Sequence, residues 1–137
     1  MITYPLFKNS KKSIAKIVAM LLIFLFTGYV SVFSQPVDPK ANVLGLTEGS
    51  IKKTELLTLE KITTNTKDIT IVSFTLSYPI GVDDFAELMS TSDKLTDEMR
   101  EDIKHLKIGT EVTFENIKAK RGDKTLILES ITLKIKE

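Results

Sequence analysis

Residues 42–137 predict a mainly β domain of the α+β class: small, β-sandwich-like, with one short helix and a long C-terminal β-hairpin. Three observations carry this. In DITIVSFTLSYPI, Val72, Phe74, Leu76 and Tyr78 alternate with Ser73, Thr75 and Ser77, the period of two that marks a half-buried strand. Leu95, Met99, Ile103 and Leu106 recur at helical spacing. The last 27 residues, Glu111 to Glu137, read as two strand segments around Gly122, and both change the parity of their apolar positions part-way along.

The elements follow in chain order. Gln35 to Ala41, with two prolines, reads as a linker, and the domain opens at Asn42. Gly49-Ser50 offers an N-cap for a short helical turn through IKKTELL, a stretch whose pattern equally allows a strand. EKITTNT and the alternating strand follow, with Pro79 and Gly81 as its stop. DFAELMS reads as a further short strand. TDEMREDIKHLK is the helix: Thr96 can cap it, Asp97 and Glu98 sit at the positive end of its dipole, and Lys104 and Lys107 lie near the other end. Gly109 is placed to stop it.

In the final hairpin, Val112 and Phe114 share one parity and Ile117 and Ala119 the other. Leu126 and Leu128 differ in the same way from Ile131, Leu133 and Ile135. A reversal at Arg121-Gly122 puts Val112 opposite Ile131 and Ile117 opposite Leu126, so the two parity changes face each other. Matched changes require a bulge or a strong twist at one level of the hairpin.

Ahead of this domain the chain has a different character. Residues 1–34 hold Lys8, Lys11, Lys12 and Lys16 and no acid, then the apolar run IVAMLLIFLF, then TGYVSVFSQP. A basic end, an apolar core of about 7–15 residues and small residues before a cut are the parts of a secretory signal. Val32 and Ser34 stand at the −3 and −1 positions of a cut before Gln35. The other reading is an uncleaved membrane anchor over residues 17–34, which carry no charge and approach the minimum for crossing a bilayer. Both readings export the rest of the chain.

Composition narrows the function. The formal net charge is +1, and 15 of the 19 bases face 18 acids once the four N-terminal lysines are set aside. Neither balance offers nucleic acid a basic footprint. There are no cysteines, which removes disulfides, thiolate nucleophiles, zinc-cysteine sites and a lipid-modified cysteine.

The residues that invite chemistry have plainer readings. His105, the single histidine, falls off the apolar stripe near a helix C-terminus and has no second histidine or cysteine to share a metal. Arg121-Gly122-Asp123 suggests an adhesion triplet, but glycine between polar residues is also what a hairpin tip requires. Asp83-Asp84 and the helix acids Asp97, Glu98, Glu101 and Asp102 lack calcium-loop spacing, and Glu98 and Asp102 are expected to face solvent one turn apart. The reading therefore has no catalytic, cofactor or metal residue, and the docking residues are unassigned.

SFTLS, IKHLKIGTEVTFENIKA, a glycine turn and ITLKIK occur here in an order that resembles the C-terminal domain of the gliding-motility protein GldM. GSIKKTELL resembles the opening of that domain, and the likeness spans Asn42 to Lys136. It implies a sandwich-like domain in the periplasm of a gram-negative bacterium, or associated with its outer membrane. The implied role is docking on envelope components of the type IX secretion and gliding machine, without catalysis or a cofactor. The family's membrane helix belongs to a much longer protein, so a motor role does not carry over. Two other classes fit the residues: a small envelope enzyme acting on carbohydrate or peptidoglycan, and a periplasmic inhibitor or ligand carrier.

Overall fold

The computed structural model describes residues 36–137, so the signal or anchor expected over residues 1–34 lies outside the described residues. Eight strands and two helices follow one another: β1 (Ala41–Asn42), β2 (Glu48–Lys52), α1 (Lys53–Leu57), β3 (Thr63–Thr64), β4 (Thr70–Pro79), β5 (Phe85–Ser90), α2 (Asp97–His105), β6 (Glu111–Arg121), β7 (Lys124–Leu128) and β8 (Ile131–Lys136). The domain is mainly β with α+β character, as the alternation of polar and apolar residues predicts.

β1 and β3 form a two-stranded sheet; the other strands form one six-stranded sheet in the order β2-β8-β6-β4-β5, with β7 also on β6. Neighbours are antiparallel except β2, which runs parallel to β8 with Ile51 beside Ile135. Asp38 and Lys40, in the stretch read as a linker, are tied down by Asn65: its amide donates to the Asp38 carbonyl and its Oδ1 accepts from Lys40 N–H. Ala41 is already buried.

IKKTELL resolves as both of its readings, in sequence. Gly49 and Ser50 belong to β2, so the expected cap is displaced to Lys52, whose N–H is held by the Glu55 carboxylate at 3.2 Å. Leu56 turns into the core from α1. The longer helix starts as expected, with Thr96 Oγ1 accepting from Met99 N–H at 3.2 Å. Its apolar stripe is buried through Leu95, Met99 and Ile103. It stops at His105, sooner than Gly109 would have stopped it, because Leu106 takes an extended backbone and offers its carbonyl to Lys53 Nζ at 2.7 Å. Gly109, at φ +91°, instead shapes the turn into β6, where its N–H donates to the Ile135 carbonyl.

The parity changes meet at one level of the sheet. On β6 the buried residues pass from Val112 and Phe114 to Ile117 and Ala119 across Asn116, which sits at φ +51°. On the returning chain they pass from Leu128 to Ile131 across Glu129-Ser130, where β7 gives way to β8. β4 does the same: its pairing with β6 shifts twice between Ile71 and Thr75, and the buried series passes from Ile71 to Phe74. That irregularity corrects the expectation for Val72, which lies on the other parity of the strand's first half and is only half-buried.

The hairpin register also differs, by two residues. Val112 pairs Leu133 and Ile117 pairs Leu128, because the reversal is a two-residue loop, Gly122-Asp123, between Arg121 and Lys124. An even shift keeps every side chain on its expected face. Phe74 and Phe114 meet at the centre with ring centroids 5.7 Å apart, and residues of both helices and both sheets complete one core.

Candidate functional site

Two surface features gather polar or apolar groups in a way the packing does not require. The first is a cleft of about 410 Å³ at the C-terminal end of α2, lined by Tyr78, Pro79, Ile80, Asp102, His105 and their neighbours. Tyr78 arrives on the buried face of β4, and its hydroxyl donates a hydrogen bond to the Asp102 carboxylate on α2. Asp102 is therefore half-buried against β4, which corrects the expectation that it faces solvent alongside Glu98. Burial, then the Asp102 hydrogen bond and the charges of Asp102 and Glu98, push the Tyr78 phenol up to about 12. At neutral pH the phenol stays protonated and donates. His105 stands exposed at the rim, one helical turn from Asp102. The cleft thus holds one carboxylate, which Tyr78 already engages.

Near it, Arg100 reaches from α2 to the end of α1, donating to the Leu57 and Leu59 carbonyls at 2.6 and 2.9 Å. These are carbonyls at and just beyond a helix terminus, where intrahelical partners run out. Of the other helix acids, Glu101 pairs with Lys104. Sequence reasoning missed the Arg100 clasp and the Tyr78–Asp102 bond. A tyrosine at a core position of a strand was the available signal, since a buried hydroxyl needs a partner.

The second feature is the β4–β5 hairpin. Eight large apolar side chains are exposed among the described residues, and four lie here: Ile80 (66%), Val82 (98%), Phe85 (63%) and Met89 (70%). β5 pairs only with β4, so its other edge has no strand beside it among the described residues. Asp83 and Asp84 form the loop, where the Asp84 carbonyl accepts from Ile80 N–H at 2.9 Å. Glu87 stands between Phe85 and Met89 on the exposed series of β5.

The remaining sequence candidates are dispersed. Arg121 is held by Asp68 at 2.9 Å, and Gly122, at φ +58°, occupies the tip of the loop. The triplet is accounted for by the turn it makes. Glu48 and Glu129 line a smaller depression of about 220 Å³, but both are exposed, and Lys40 lies 3.9 Å from Glu129. Among the described residues no three histidine, cysteine or carboxylate side chains cluster as metal ligands do. No helix there is long and apolar enough to cross a membrane.

Searches against family models and against curated proteins return no match for this chain.

Proposed function

We propose that this chain is an exported, non-enzymatic protein-docking module, and that the β4–β5 hairpin is its docking surface. The observation that carries the reading is the coincidence of an unpaired strand edge with half of the exposed large apolar side chains of the described domain. An uncovered edge is a template for another strand, and natural sheets commonly guard such edges with lysine, proline or a bulge. FAELMS has no lysine or proline, and its pairing to β4 runs without a register shift. Exposed apolar side chains grouped at such an edge mark a place where something binds.

The resemblance to the GldM C-terminal domain supports the same class of function and supplies its setting. In this proposal the domain works in the periplasm or at the outer membrane, on an envelope component of the type IX secretion and gliding machine. The signal-like residues 1–34 support export.

The test is to express the full chain with a C-terminal tag in a gliding gram-negative host, crosslink, and identify the products by mass spectrometry. Enrichment of outer-membrane secretion or gliding components over a tag-only control is the expected result. Their absence, with enrichment of cell-wall glycan or a small molecule instead, would overturn the reading and favour the enzyme or carrier class.

A further inference from the structure

We infer that the free edge of β5 accepts an extended segment of a partner protein in which apolar and basic residues alternate. This rests on the docking proposal above and adds the chemistry of the partner. Successive side chains of a strand point to opposite faces, so a strand laid beside β5 places alternate residues next to Phe85, Glu87 and Met89. Phe85 and Met89 call for apolar neighbours, and Glu87 between them calls for a base. The intervening series, Ala86 and Leu88, is half-buried and packed on the core, so it asks the partner for small or apolar residues.

Charge points the same way. From Ile80 to Asp93 the chain carries Asp83, Asp84, Glu87 and Asp93 and no base at all. Bases stand only at its margins, with Lys94 next in the chain, Lys118 in a shallow hollow with Met89 and Lys107 in the cleft with Ile80. A cation beside Glu87 or near the Asp83-Asp84 end therefore meets a locally acidic stretch. The same charge disfavours a second copy pairing antiparallel through this edge in the register centred on Glu87, since the two Glu87 side chains would stand opposite each other. Two other strands of this sheet have only one partner, β2 and β7, and β7 is the one with basic surroundings, Lys118, Lys120, Arg121 and Lys124. Head-to-tail assembly of β5 on β7 of another copy is therefore the competing occupant.

The test uses the full chain, exported and purified, with amide resonances followed by NMR. Two short synthetic peptides serve as probes: threonine alternating with Leu-Lys-Leu, and the same with glutamate for lysine. The basic peptide should shift resonances of Phe85–Ser90 and the preceding loop and bind about tenfold more tightly than the acidic one. Glu87→Lys should reverse that preference. Equal binding of the two peptides, shifts confined to β2 or β7, or self-association that Lys124→Glu disperses, would each overturn the inference. The double variant Phe85→Lys/Met89→Lys separates it from the docking proposal. If that variant loses the crosslinked envelope partner while the peptides show no charge preference, docking stands and the basic chemistry falls. If it keeps the partner, the β5 edge is not the docking surface.

Discussion

The bond between Tyr78 and Asp102 joins the central sheet to α2, and its removal makes a sharp test of the fold's polar architecture. Tyr78→Phe deletes one hydroxyl and leaves the ring in the core. A hydrogen bond to a charged group is worth about 1.5–3 kcal/mol in a buried setting. This one opens on a solvent-filled cleft, so screening brings the expectation to the low end, about 1.5 kcal/mol at pH 7. For a domain of this size that is a fall in Tm of roughly 6–12 °C. The pH dependence has a fixed sign. The folded phenol is raised from 10.0 to about 12, so the folded state holds its proton more tightly than the unfolded chain does. The stabilisation is complete below pH 10 and is lost as pH rises from there toward 12. Thermal unfolding of both proteins, followed by circular dichroism from pH 7 upward, should show the gap between them closing across that window. Ultraviolet absorbance of the phenolate, as a wild-type minus variant difference, should place the titration well above the ordinary tyrosine value. A variant as stable as the parent at pH 7, or a phenol titrating near 10, would refute the argument.

Three further substitutions probe other links. Arg100→Met should destabilise the domain by about 3 kcal/mol, because the Leu57 and Leu59 carbonyls each lose a charged donor; chemical denaturation measures it. Asn116→Val should cost about 1–2 kcal/mol by the same assay, since a β-branched residue resists the left-handed backbone at φ +51°, whereas Asn116→Gly should be near neutral. Arg121→Ala should change stability by less than about 1 kcal/mol, because the Asp68 ion pair is solvent-exposed; a larger loss in the denaturation midpoint would mean the hairpin tip is anchored more firmly than its geometry implies.

Local pattern was legible wherever one face of an element is buried along its length. The stripe Leu95, Met99 and Ile103 and the alternation Phe74, Leu76 and Tyr78 each report a single buried face, and the side chains lie where the periodicity puts them. The matched parity changes in the final hairpin were legible too, since both segments must keep their apolar residues on the core. The start of α2 was written in Thr96 and its acids.

What depended on distant partners was not legible. The hairpin register turned on which two residues formed the loop, and an even slip leaves the apolar pattern unchanged. The end of α2 was decided by Lys53, 53 residues earlier, capping the Leu106 carbonyl. Asp102 was read as solvated because spacing within a helix cannot reveal a tyrosine arriving from a strand. The candidate docking edge was invisible for the same reason: FAELMS reads as any short strand until the sheet order leaves it outermost. Sequence by itself determined which residues seek the core and which element each segment prefers, because those are properties of one chain segment against water. Only the tertiary structure decided which strand became an edge and which polar groups met, because those depend on contacts between segments far apart in the chain.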